Sequence, residues 1–328
     1  MQARAVGLLL GHAADQVLGD PRRFHPVAGF GRAATWLEQR TYADSRARGT
    51  AYVVVLLGAT TAIAATAERC ARRPVARALL TAVVTWAVLG GRSLDREAEA
   101  VHDLLLADDL PGARRRLRHL VGRDTGSLTP DQIARAVIES VAENTSDAVV
   151  TSYFWGAVAG VPGLVAHRAA NTLDAMVGHH NARYENFGWA AARLDDVLGY
   201  PGARLAGLLS VVLGPDSPGA LVAWRRDARR HPSPNAGVIE ASFAGALGLT
   251  LGGTNTYYGD RLEHRALMGQ GRVPVPDDIP PTRRLARRVG LGAALTAAAV
   301  SLLRGSPAVT RSILHCARAG SAAAADRT

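Results

Sequence analysis

The sequence predicts an all-α fold: a polytopic integral membrane protein with several transmembrane or re-entrant helices and helical polar segments between them. Three observations lead there. Uncharged runs recur at 49–67, 78–91, 148–166 and 289–303, with a fifth apolar run at 205–214. The polar block at 94–122, LDREAEAVHDLLLADDLPGARRRLRHLVG, carries its apolar residues at helical spacing. No long alternating strand pattern occurs. A spanning helix needs about 20 apolar residues, so the first and third runs qualify and the others are short. A soluble protein with buried helices would show similar runs, but repeated arginine flanks, as in ERCARRPVAR between the first two, favour a membrane.

In chain order, MQARAVGLLLGHAADQVLGDP has a short apolar stretch interrupted by His12 and Asp15 and no small-residue cleavage site, so a cleaved leader is not expected. Polar blocks follow at 20–48, 92–147, 167–204 and 215–288, and because all of them carry arginine the positive-inside rule assigns no orientation. Within 92–147, Leu110-Pro111-Gly112 is a turn signal, and Thr129-Pro130-Asp131-Gln132 reads as a helix start with Thr129 as N-cap. GGTNTYYGD at 252–260 predicts a small hairpin or loop. We therefore expect a single helical membrane domain over 1–328, with polar active-site segments at 92–147, 167–204 and 215–288.

Composition excludes several function classes. All 38 basic residues are arginine, against 28 acidic ones. Without lysine there is no Walker A loop and no Schiff base to pyridoxal phosphate, so phosphate must be held by arginine, backbone amides or a metal. Cys70 and Cys316 are distant in sequence and suggest neither a disulfide framework nor zinc. Aromatic residues make up only 5% and the arginines are scattered between apolar runs, so nucleic acid is not an expected partner.

The chemistry concentrates in VIESVAENTSDAVV, 137–150, where Glu139, Glu143 and Asp147 stand at i, i+4 and i+8 on one helical face. Like charges at this spacing each cost a helix about 0.2–0.5 kcal/mol, so something positive should offset them. An Mg²⁺ ion carrying phosphates would do so, as would arginine partners or plain solvation. Asn144-Thr145-Ser146-Asp147 is echoed by Asn171-Thr172-Leu173-Asp174 beyond the uncharged run. In one straight helix Asp147 and Asn171 would lie about 36 Å apart. Gly160-Val161-Pro162-Gly163 is a strong breaker, so we expect 148–166 to break or fold back near Pro162 and bring both N-T-x-D elements to one polar cavity. Arg193 beside Asp195 and Asp196 reads equally as an ion pair or as a phosphate ligand next to a metal- or amine-positioning aspartate. The histidines of Gly19-Asp20-Pro21…His25-Pro26 and of the turn at 231–237 read as structural.

Taken together, GDPRRFHPV, ESVAENTSD, RAANTLDAMVGHHNARYENFGWAAARLDD and HPSPNAGVIEASFAGALGLTLGG resemble, in order over about 19–285, the CobD/CbiB family of cobalamin biosynthesis, the adenosylcobinamide-phosphate synthases. The resemblance implies a multi-pass protein of the inner (cytoplasmic) membrane, a ligase that spends ATP, with Mg²⁺, to join adenosylcobyric acid to (R)-1-amino-2-propanol or its O-phosphate. It implies catalytic roles for Asp147, Asp174 and Asp196. Substrate and phosphate contacts would come from Arg168, Arg183, Arg193, Asn144, Asn171 and Tyr184, and metal contacts from Glu139, Glu143 and Asp147. Membrane lipid is an expected partner, alongside other enzymes of the pathway or a second copy of the chain. One departure is Ala148, where the family pattern has glycine. Two other readings compete: an AmpE-like, non-catalytic membrane sensor, and a Mg²⁺-dependent membrane prenyl- or phosphotransferase.

Overall fold

Helices make up nearly all the regular structure of the computed structural model, which describes residues 1–21, 25–122, 124–179, 181–257 and 261–304. Cys316 and residues 22–24 of the GDPRRFHPV segment lie outside these ranges. The order is α1 (Gln2–Leu18), α2 (Pro26–Thr41), α3 (Arg46–Cys70), α4 (Pro74–Leu89), α5 (Gly91–Leu106), α6 (Leu110–Leu117) and α7 (Pro130–Asn144). A π-helical turn (Thr145–Val150) then leads into α8 (Thr151–Val177), α9 (Trp189–Leu213), α10 (Ser217–Asp227) and α11 (Ala236–Leu247). An antiparallel hairpin, β1 (Leu251–Tyr257) and β2 (Arg261–Met268), precedes α12 (Ile279–Leu303).

Five helical stretches are long and apolar enough to cross a membrane: Arg46–Cys70, Pro74–Leu106, Pro130–Val177, Trp189–Leu213 and Pro276–Leu303. Each contains one of the five apolar runs. Runs that are too short alone become long enough because polar helix adjoins them, as α5 follows α4 across the single left-handed residue Gly90 (φ 78°). The chain is an all-α, multi-pass membrane protein. Val54, Val55, Ile63, Leu79, Val83, Val212 and Leu295 are exposed on α3, α4, α9 and α12, an apolar surface that lipid covers.

The local signals resolve as follows. Thr129 caps α7 through a complete capping box: its side chain accepts from the Gln132 amide, and the Gln132 side chain accepts from the Thr129 amide at 2.9 Å. The turn expected at Leu110-Pro111-Gly112 lies just before it. Asp109 caps α6 through the Gly112 amide at 2.8 Å, so the Pro-Gly pair opens a helix, where proline's missing N–H is harmless.

The decisive element is α8. Gly160 has φ 71° and ψ −148°, and Pro162 opens the helix beyond it. The two arms then run back along each other: Ser152 Oγ lies 3.3 Å from His167 Nδ1, where a straight helix would separate these residues by about 22 Å. Gly163 packs on the Trp155 carbonyl and Gly156 on Leu164, so missing side chains let the arms touch. At the tip, the outgoing arm ends with unpaired carbonyls, and two arginines cap them. Arg4 Nη1 donates to the Ala157 carbonyl (3.2 Å) and Arg304 Nη1 to that of Val158 (2.9 Å). Gly160, Val161 and Gly163 are all buried, so the helical break lies inside protein rather than against lipid.

The core forms three clusters. One joins Leu8, Leu89, Tyr153, Leu164, Phe243 and Val289 around the hairpin. The second packs Val101, Leu117, Ile133, Ile138 and Ile279 beneath α7. The third sets Tyr52 and Phe187 against Leu173 and Val177 at the end of the return arm.

Candidate functional site

Folding α8 back places the second N-T-x-D element beside the first. Asp147 lies within electrostatic reach of Glu143, Asp195 and Asp174. Asp195, on the first turns of α9, is hydrogen-bonded by the Asn171 side chain and neighbours Asp174. Four carboxylates from α7, the π turn, the return arm of α8 and α9 thus share one region. Among the described residues, Arg168 brings a positive charge to this region, half-buried on the return arm and within reach of Asp195 and Asp20. A region this acidic can draw in a divalent cation or an ammonium group, and Arg168 offers an anion one point of attachment.

The π turn sets the aim of Asp147. Its wider ring is closed by the Thr151 amide on the Ser146 carbonyl, and Thr151 Oγ1 donates to the same carbonyl at 2.9 Å. Gly202 of α9 fits directly on Thr151, which leaves no room for a side chain there. Inserting a residue in this way rotates everything beyond it, and such turns recur at functional sites.

The carboxylate row read from the sequence divides between two surroundings. Glu139 is buried and engaged elsewhere: its Oε1 accepts the Gly252 amide at 2.9 Å and lies 3.8 Å from Arg135 Nε. Arg135 also donates to the Gly252 carbonyl, so this pair clamps β1 onto α7. Gly252 has φ +85° and packs on the Ala266 carbonyl, a position only glycine fills without strain. Among the described residues no group of three or more His, Cys, Asp or Glu side chains is set to hold a metal ion. Any cation here would be held by one or two carboxylates, with its other positions left to water or substrate.

The remaining sequence candidates separate into two groups. Asn144 is turned onto its own helix, donating to the Ser140 carbonyl at 2.9 Å, whereas Asn171 reaches Asp195. Arg193 is largely exposed and lies 3.8 Å from Asp196, so Asp196 has a local cation while its neighbour Asp195 faces the acids. Arg183 and Tyr184 both bind Glu38 of α2, at 3.0 and 2.9 Å, and the Arg183 guanidinium stacks over Tyr42. The Glu38 hydrogen bond pushes the Arg183 pKa up from its ordinary value. These contacts tie the 181–188 turn to α2. His25 caps α2, accepting the Val27 amide at 3.2 Å, in keeping with a structural role. Sequence reasoning named Asp195 only jointly with Asp196, as one of two aspartates beside Arg193, and left Asp20 in a turn. The adjacency of Asp195 to Asp196 was visible, but which of the two faces inward depends on how α9 is rotated.

A family model described as CobD/Cbib protein matches residues 8–286. The cobalamin biosynthesis protein CobD of Mycobacterium tuberculosis is 51% identical over 302 residues, covering 90% of this chain and 95% of that one. The protein of the same name from Chromobacterium violaceum is 44% identical over 299 residues, 88% and 94% of the two chains. That from Rhodobacter capsulatus is 39% identical over 283 residues, 85% and 90%. No solved structure matches the chain.

Proposed function

The chain belongs to the CobD/CbiB family, and from that premise we propose that it is an enzyme of cobalamin biosynthesis in the inner membrane. The proposed reaction is ATP-dependent amide ligation, joining adenosylcobyric acid to (R)-1-amino-2-propanol or its O-phosphate. The observation that supports a catalytic reading over a sensor is the junction of the two N-T-x-D elements: the fold bends a membrane helix back on itself and gathers four carboxylates beside one arginine.

The chemistry explains the charge. A carboxylate is a poor acyl donor until a phosphoryl or adenylyl group makes one of its oxygens a leaving group. ATP, the propionate and an aminoalcohol phosphate are all anionic and repel one another. Mg²⁺, when bound, would neutralise phosphate oxygens; Glu143 and Asp147 would hold it, their hard oxygen donors matching its preference. Arg168 would orient the propionate or a phosphate. Asp174 and Asp195, held together with Asn171, attract the ammonium group and accept its proton before the amine attacks. Asp196, with Arg193 beside it, orients rather than transfers.

Membranes carrying the protein, incubated with adenosylcobyric acid, ATP, Mg²⁺ and either aminoalcohol, should yield the amide by mass spectrometry. Absence of an ATP-dependent product with both aminoalcohols would overturn the proposal, and incorporation of a prenyl or phosphate group alone would replace it.

A further inference from the structure

A second charged feature lies beyond the carboxylate region. Between α9, α10 and the turn at 231–235 opens a cleft of about 520 Å³, lined by Tyr200, Arg204, Trp224, Arg225, Arg229 and His231. The arginines of this segment divide sharply. Arg226 and Arg230 are neutralised by Asp227, whose pKa burial would raise but which the Arg226 hydrogen bonds, the Gly269 amide and both guanidiniums hold below its usual value. Arg225 and Arg229 face the cleft, and neither has a carboxylate partner among the described residues. Arg204 is fixed in place by neutral groups only: its Nη1 donates to Asn235 Oδ1 at 2.9 Å and to the Tyr200 carbonyl, and its guanidinium lies 3.4 Å from the centre of the Tyr200 ring. Three guanidiniums thus meet in one concavity with no carboxylate partner among the described residues; Glu240 lies behind the lining, 3.7 Å from His231 Nε2.

The cleft is joined to the acid region through α9. Asp196, Tyr200 and Arg204 follow at i, i+4 and i+8 on one face, and Asn235 bridges the two, donating to the Asp196 carbonyl at 2.8 Å and accepting from Arg204. Its walls also offer flat rings. The Trp224 indole rests on Gly207 of α9, which has no side chain to push it out. The volume falls in the range of small-ligand sites, roughly 300–1,000 Å³.

We propose that this cleft binds a nucleoside triphosphate. Arg204, Arg225 and Arg229 take the phosphate oxygens, a ring of Trp224 or Tyr200 stacks on the base, and the α9 face directs the phosphate chain toward Asp195 and Asp196. The inference rests on the ATP-dependent reading for its place in the reaction, while the anion-binding claim stands on the unpaired guanidiniums. An anionic lipid headgroup shares the phosphate chemistry but has no base to stack.

The test uses the full chain in nanodiscs of neutral lipid and of phosphatidylglycerol, titrated with MgATP and followed by calorimetry and tryptophan fluorescence. Arg225→Ala combined with Arg229→Ala removes two exposed side chains and should leave the melting temperature unchanged. The expected result is ATP affinity weakened by about tenfold or more, since charge-assisted hydrogen bonds are lost. Inorganic tripolyphosphate should compete with ATP in the wild-type protein. Equal ATP affinity in the two proteins overturns the site, even where both make the amide. A variant that loses only phosphatidylglycerol binding overturns it in favour of lipid. Weakened ATP binding with no amide from either protein supports the cleft and sinks the proposed reaction instead.

Discussion

The two N-T-x-D elements have the same spelling and different surroundings. In both, threonine donates back to the carbonyl four residues earlier: Thr145 to Val141 at 2.6 Å, Thr172 to Arg168 at 2.7 Å. There the likeness ends. The first element lies at the junction of α7 with the π turn, where Asn144 is turned onto Ser140 and Asp147 is left to face Glu143, Asp195 and Asp174. The second lies in regular helix near the end of the return arm; Asn171 reaches Asp195 and Asp174 packs against Gly178 at the helix end. Equal sequence spacing therefore does not mean equal chemistry. One helical register delivers a carboxylate, the other an amide and a carboxylate together.

The comparison can be broken most forcefully at the carboxylates. Asp147→Asn, which removes a proposed Mg²⁺ ligand, and Asp174→Asn, which removes a proposed proton acceptor, should each lower amide formation by roughly 100-fold or more, with the protein still in the membrane fraction. Full turnover in both would remove the elements from the site. Next in size is the amide asymmetry: Asn171→Ala should cut turnover by about tenfold, the cost of one hydrogen bond to a charged group, while Asn144→Ala stays within about twofold. Equal losses would show that the difference in surroundings is immaterial.

The hinge that pairs the elements can be tested without substrate. Gly160→Ala places a side chain where φ is +71° and where Arg4 and Glu68 already stand. Strain of about 1–3 kcal/mol should appear as a lower melting temperature in detergent. An unchanged melt would mean the turn is not under conformational constraint. The smallest effect separates metal from structure: Glu143→Gln should raise the Mg²⁺ concentration needed for half-maximal activity, whereas Glu139→Gln should leave it in place while loosening the β1–β2 hairpin, as read by hydrogen exchange. A shift of equal size in both would restore the three-carboxylate row.

The sequence by itself determined the helical membrane architecture, because each apolar run and each cap is a local matter of length, hydropathy and backbone hydrogen bonding. It also marked the bend as a candidate at Gly160-Val161-Pro162-Gly163, but the same G-x-P-G spelling at Gly199-Tyr200-Pro201-Gly202 stays within continuous α9, so packing decided which of the two folds back. The i, i+4, i+8 row divides for a physical reason: Glu139 is taken up by the Gly252 amide and Arg135, whereas Asp147 keeps Glu143 beside it and meets Asp195 and Asp174 across the fold. Which of Asp195 and Asp196 faces the acids, and which arginines are already neutralised, depended on helix rotation and on partners more than a hundred residues away. Arg183 bound to Glu38 and Glu139 bound to Gly252 are such cases. Charge is written in the sequence, but its pairing is decided only when the helices pack.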